Sequence, residues 1–153
     1  MQPFYADYLD RLEKLHTEID ESLKGLPQVT LDWVPGEGMN SICVLVVHIA
    51  GSERFWIGDV AMGESSDRDR DAEFKANNLD VGILKSKLAA SLQYAAQSLE
   101  KLTLGDLANP CISPRDGKGY RVAWALAHAL EHTAIHTGHL QLTRQLWLMQ
   151  DEG

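Results

Sequence analysis

A chain of 153 residues with 14 lysines and arginines against 22 aspartates and glutamates, a formal charge of −8 at pH 7, is long enough to bury a sizeable core and predicts one domain over residues 1–153. The shortage of cations, with no clustered basic run, argues against a phosphate backbone or an anionic membrane as partner. No apolar run reaches the roughly 18 residues of a membrane span, and the acidic start MQPFYADYLDRLEKL does not read as a signal peptide. Cys43 and Cys111 lack C-x-x-C spacing and suit a reducing cytoplasm better than a disulfide framework.

The first apolar period runs from Phe4 to about Leu26, with Tyr5, Tyr8, Leu12, Leu15, Ile19 and Leu23 at three- and four-residue steps and Gly25 and Pro27 as stops. After the turn LDWVPGEGM, Asn40 or Ser41 caps a second helix that runs through His48 and Trp56 to about Met62. The stretch GESSDRDRDAEFKANN has both charges and no sustained period, and reads as a long connection. Asp80 caps a third helix to about Leu102, which aligns Leu84, Leu88, Leu92, Ala95, Leu99 and Leu102 on one face. The loop LGDLANPCISPRDGKG leads to a fourth helix from near Tyr120 to about Met149. Its apolar surface is expected mainly from Trp124, Ala127, Leu130, Ala134, Leu142, Leu146 and Trp147. Four helices and no strand signal predict an all-α four-helix bundle. The connection between the second and third helices, roughly 17 residues, is long for a hairpin and could cross the bundle, making those two helices parallel.

Four of the six histidines, His128, His132, His136 and His139, fall within twelve residues of the fourth helix. At about 100° per residue, the last three lie roughly 40°, 80° and 20° from His128, on one narrow stripe. Helical rise separates His128 from His136 by about 12 Å, whereas a metal–nitrogen bond is about 2 Å, so one ion cannot hold all four. The pairs His128/His132 and His132/His136 compete, with His136/His139 a poorer option. A third ligand must come from another segment, and His48 is the candidate. It shares a core-facing stripe with Val44, Leu45, Phe55 and Trp56, and the small Gly51 and Ser52 leave room beside its ring for an ion or another helix. Alone, His48 would read as a core histidine bonded to a carbonyl or water; the distant stripe turns the reading toward a ligand.

The helical H-E-x-x-H motif of metalloproteases is absent, because Thr133 follows His132. Glu131 precedes it, turned about 100° away, and reads as a surface carboxylate or a hydrogen-bond partner behind a ligand. Glu53, Asp59 and Arg144 have no assigned role from sequence. Arg115 and Lys118 could attract a carboxylate but read first as a solvated turn. Trp56, Trp124 and Trp147 either line a pocket or fill a core or an interface.

Taken together, LVVHIAGSERFW, the later HALEHTAIHTGHLQLTRQL and the W-x-P turn at Trp33 to Pro35 resemble the DinB superfamily of small metalloenzymes, also called DinB/YfiT-like proteins, over nearly the whole chain. The specific part is one histidine on the second helix with tryptophan eight residues on, then H-x-x-x-H-x-G on the fourth. The resemblance implies that His48, His132 and His136 bind a divalent ion, with His128 one turn earlier and outside the ligand set, and His139 where many members have glutamine. It also implies an up-down-down-up bundle with a long crossover between helices 2 and 3, a homodimer, and transferase or isomerase chemistry on a small molecule with a low-molecular-weight thiol such as bacillithiol, mycothiol or glutathione.

Three neutral imidazoles leave an ion both its positive charges and at least one further position, the arrangement of catalytic sites. Such an ion can activate water or a thiol. Imidazole donors suit zinc, nickel, copper, cobalt or iron without selecting among them, and zinc or nickel is the expectation. Ser52, Trp56, His128, His139 and Glu131 are the expected neighbours of the site. The competing reading is a noncatalytic metal- or ligand-binding protein, in which the ion ties the second helix to the fourth; a metal-dependent hydrolase is the nearest catalytic variant.

Overall fold

The structure, a computed structural model, describes residues 1–150. Helix α1 (Pro3–Leu23) begins with a proline in its first turn, where a missing N–H costs nothing. A short α2 (Gln28–Asp32) precedes α3 (Ile42–Glu53), whose first turn is capped by the Ser41 hydroxyl accepting the Val44 N–H at 3.1 Å. One continuous α-helix to Met62 was expected here; instead the chain widens into a π-helical stretch, Arg54–Met62, and stops at Gly63 with φ 68°. Gly58 makes room within that stretch, because a Cβ there would collide with the Arg54 guanidinium. Arg54 can thus bond Asp59 at 3.0 Å and the Glu64 carbonyl at 3.1 Å while stacking on Tyr94.

The polar stretch that read as a plain connection contains one helical turn, α4 (Arg70–Glu73), capped by Asp69 accepting from the Ala72 N–H at 3.0 Å. Helix α5 (Val81–Lys101) is capped by Asp80 as expected, with the Ile83 N–H at 2.9 Å. A 3-10 turn (Leu104–Ala108) and an antiparallel hairpin, β1 (Pro110–Ile112) with β2 (Gly119–Arg121), then lead into α6 (Val122–Gln150). The hairpin corrects the strand-free expectation: three-residue strands are too short to carry an alternating pattern.

The four long helices form the predicted bundle, and side-chain contacts fix its direction. Tyr8 donates to the Leu126 carbonyl at 2.8 Å and Gln141 reaches Glu18 at 3.3 Å, so α1 and α6 run parallel. His48, Glu53 and Trp56 meet His136, Thr133 and Trp124 in that order, so α3 opposes α6. Asp20 pairs with Lys85 near one end and Tyr5 bonds the Thr103 carbonyl at the other, so α5 opposes α1. The order is up-down-down-up, and the long connection carries the chain across so that α3 and α5 lie parallel.

Two apolar clusters fill the interior. One gathers Tyr5, Leu12, Phe55, Trp56, Leu99 and Leu126, and the other Ile19, Ile42, Val46, Ile49, Leu84 and Leu140. Between them lies a polar layer with one residue from each long helix. Glu53, 1% exposed, receives Ser91 Oγ at 2.7 Å and Thr133 Oγ1 at 2.9 Å, and His16 Nε2 lies 2.8 and 3.0 Å from its two oxygens.

On α6 the buried stripe differs from the expected one. Val122, Ala125, Leu126, Ala129, Thr133, Thr137, Leu140 and Thr143 face inward, whereas Trp124, Ala127, Ala134 and Leu142 are exposed. Thr137 and Thr143 satisfy their hydroxyls on the carbonyls four residues back, at 2.8 and 2.9 Å, and so pack as apolar groups. Among the described residues, no helix is long and apolar enough to cross a membrane.

Candidate metal centre

His48 sits one turn and a half before the end of α3, 4% exposed, with its imidazole aimed at α6. Its Nε2 lies 3.1 Å from Nε2 of His132. Two imidazole nitrogens bonded to one ion at about 2.0–2.1 Å with tetrahedral angles would stand about 3.3 Å apart, so this pair has the separation of two ligands. The His136 ring is centred 5.0 Å from that of His48 and 4.4 Å from that of His132. One nitrogen from each of His48, His132 and His136 can be chosen so that all three lie within 4.8 Å of one another. The sequence left two α6 pairs open; it is His132/His136 that meets His48.

Two of the three rings, those of His48 and His136, have hydrogen-bond partners outside the cluster. His48 Nδ1 is 2.9 Å from Glu73 Oε1 on α4, and Glu73 is clasped by Arg68 through Nε and Nη2, both at 2.7 Å. Burial works to raise the Glu73 pKa, but the bonds and charges of Arg68 and His48 outweigh it and hold the carboxyl below its ordinary value. A carboxylate on the far nitrogen fixes both the tautomer and the orientation of a ligating histidine. Gly51 admits it: a Cβ at that position would coincide with the Glu73 carboxyl. His136 turns its Nδ1 to Nδ1 of His139 at 3.2 Å, while Nδ1 of His132 is buried without a hydrogen-bond partner among the described residues.

Burial, followed by the charge of neighbouring imidazoles, lowers the His132 pKa to about 3 and that of His136 to about 4. Both rings are therefore neutral at pH 7, the form that donates a lone pair to a metal.

The other expected neighbours divide. His128 is outside the cluster, its ring 5.8 Å from that of His132, and Trp56 packs edge-on against it at 4.5 Å. Burial lowers the His128 pKa, with Glu131 opposing and Arg115 reinforcing the shift. Glu131 is an exposed carboxylate 3.8 Å from His128 Nδ1, closer to the surface reading. Ser52 is buried in α3. Glu73 and Arg68 were missed from sequence. The one available signal was Gly51, whose gap beside His48 is filled by the Glu73 carboxylate of α4.

A sequence profile of the DinB superfamily matches residues 11–140. The chain belongs to the DinB superfamily. Among functionally curated proteins none matches. Similar folds are found in a conserved protein from Enterococcus faecalis, at TM-score 0.79 and 16% identity, covering 95% of this chain and 98% of that one. YfiT from Bacillus subtilis, described as a probable metal-dependent hydrolase with an unusual four-helix bundle topology, aligns at TM-score 0.59 and 14% identity over 95% of this chain and 89% of its own. A mycothiol-dependent maleylpyruvate isomerase aligns at TM-score 0.65 and 14% identity, over 92% of this DinB-family chain and 63% of its own.

Proposed function

We propose that this chain is a divalent-metal-dependent enzyme that uses a low-molecular-weight thiol in a transferase or isomerase reaction on a small molecule, with His48, His132 and His136 as the metal ligands. The observation that carries the reading is the meeting of three imidazoles from α3 and α6 with a buried carboxylate behind one of them. The donor set fits such an ion: two rings held neutral by burial, and a third oriented through its far nitrogen. Zinc or nickel is the proposed ion, and imidazole donors also accept iron, cobalt or copper. Bound there, the ion would supply Lewis acidity able to favour the thiolate of a thiol or the hydroxide form of water at neutral pH.

The chain's own residues orient and shield. Glu73 fixes His48 through the ring nitrogen opposite the one that faces His132, and His139 lies against Nδ1 of His136. The protein then offers three donors, the number typical of catalytic rather than structural sites. The thiol is supported by the likeness to the mycothiol-dependent isomerase, and hydrolysis, the alternative, by the likeness to YfiT. Both cysteines are free, which agrees with a cytoplasmic setting. Exposed Ile135, Leu142 and Met149, seven residues apart along the outside of α6, would suit a homodimer interface.

Metal analysis tests the assignment. The wild-type protein is expected to carry close to one first-row transition ion per chain, and His48→Ala and His136→Ala to lose it; unchanged occupancy in both variants overturns the ligand set. Metal-loaded protein should then turn over an electrophile with bacillithiol, mycothiol or glutathione, and turnover with none of them would favour the noncatalytic reading.

A further inference from the structure

We propose that the face built by Tyr120, Trp124, His128 and Arg115, beside the candidate metal centre, is the binding site for a flat aromatic carboxylate. This deepens the function proposed above, since it names the substrate class that would lie next to the ion.

Trp124, His128, His132 and His136 recur every fourth residue of α6, so their rings form one ladder along it, and Tyr120 of β2 extends that ladder by stacking on Trp124. The upper part is stacked: Tyr120 on Trp124 at 4.3 Å and 26°, Trp124 on His128 at 4.9 Å and 9°. Trp56 supports all three from the bundle side, at 5.4, 5.4 and 4.5 Å, each edge to face. Held at the back and stacked along the axis, the rings turn their outer edges to solvent, and Trp124 remains 45% exposed. Ring edges carry the positive lobe of the aromatic quadrupole, so a row of edges favours the electron-rich face of a flat ligand or an anionic group.

Arg115 adds a full charge to that row. It lies in the turn of the β1–β2 hairpin, its guanidinium 5.9 Å from the Phe55 ring and near His128. The hairpin is tied by Ser113 N–H to the Lys118 carbonyl and Gly117 N–H to the Ser113 carbonyl, both at 2.9 Å. Arg115 makes no ion pair among the described residues, as is true of every arginine there except Arg54 and Arg68; its place beside Phe55 and His128 is what sets it apart. In a chain of net charge −8, a guanidinium without an ion pair, beside Phe55 and close enough to His128 to act on its charge, is where an organic anion lying on the aromatic row would be held. The next ring down the ladder is His132, whose Nε2 meets that of His48, so a ligand lying across Trp124 and His128 would direct one end at the proposed ion.

The probe is 2-naphthoate, titrated into metal-free and metal-loaded full-length protein by calorimetry, with the Trp124 indole N–H followed by NMR. One-to-one binding is expected in both forms. Cyclohexanecarboxylate, which keeps the charge without the π face, and 2-naphthylmethanol, which keeps the π face without the charge, should each bind about tenfold more weakly. Arg115→Gln should weaken naphthoate by about tenfold and leave naphthylmethanol unchanged, whereas Trp124→Leu should weaken both. Equal binding of the three probes, or no effect of Arg115→Gln, overturns the proposal. So does binding that requires the metal, which would mean coordination of the carboxylate alone, or a Trp124→Leu variant that only converts a dimer to a monomer in sedimentation, which would make this face an interface. Because the metal-free protein is the primary arm, failure of the platform is separate from failure of the ligand set.

Discussion

Replacing Gly51 by alanine tests the proposed site without touching any of the three proposed ligands. In a helix interior the change should by itself favour folding by about 1 kcal/mol, because alanine is the better helix former. Its Cβ, however, would occupy the space of the Glu73 carboxyl, which is held by His48 Nδ1 at 2.9 Å and by two Arg68 bonds at 2.7 Å. The carboxyl must leave, and His48 loses the group that sets its tautomer. Removing such a partner costs roughly 10–100-fold in metal affinity, about 1.4–2.7 kcal/mol. The expected result is a helix at least as well formed by circular dichroism, with zinc bound 10–100-fold more weakly in competition with a chromogenic chelator. Glu73→Gln, which keeps the volume and one acceptor oxygen, should fall near the lower end, about tenfold. Wild-type affinity in Gly51→Ala would refute the claim that Glu73 prepares His48 for a metal.

The lowered pKa values of His132 and His136 predict that both remain metal donors well below 6.5, so zinc release on acidification should have its midpoint nearer pH 4–5; a midpoint at or above 6.5 would contradict the burial argument. For the metal-free protein the sign is also fixed: the unfolded chain takes up protons near 6.5 that the folded rings refuse until about 4 and 3, so denaturation midpoints should fall as pH drops through that window. Glu53→Leu strands His16, Ser91 and Thr133 in the interior and should lower stability by about 3–5 kcal/mol in urea unfolding, whereas Glu53→Gln, which can still accept from one hydroxyl, should cost less. Tyr8→Phe removes the buried bond to the Leu126 carbonyl and should cost about 1–3 kcal/mol in the same assay.

The large features of the fold were legible because they rest on period and caps. Asp80 caps its helix as the sequence predicted, Ser41 is the one of the two candidates Asn40 and Ser41 that caps α3, and the inward faces of α1 and α5 follow Tyr5, Tyr8, Leu12, Leu84, Leu88 and Leu99. What was lost depends on groups whose burial contradicts their type. Thr133, Thr137 and Thr143 face inward on α6 while Trp124, Ala127, Ala134 and Leu142 face out, because a threonine bonded within its helix or to Glu53 is as easily buried as a valine. His16 shows the same limit: it stands on the inward face of α1 only because Glu53 receives it from another helix. Glu73 was hidden for another reason. Its segment has no period, and its position is fixed by Arg68, His48 and the gap at Gly51, pairings that no local pattern encodes.

The two buried glutamates divide the work of the bundle between them. Glu53 is surrounded by His16, Ser91 and Thr133 and has a partner on every other long helix, so its oxygens are spent on internal bonds and none faces the three-histidine cluster. Glu73 lies at the edge, paired to Arg68 and presented to the back of His48, and its position comes from a single helical turn rather than from the bundle. The consequence is a separation of stability from chemistry. Burying a carboxylate costs several kcal/mol unless all its bonds are made, and Glu53 makes them within the core, tying α3 to α6 at Thr133, the residue next to His132. The histidines are thereby mounted on two helices already fixed to each other, while Glu73 reaches His48 from a segment, residues 63–80, that Ala76 and Leu79 anchor to the second apolar cluster.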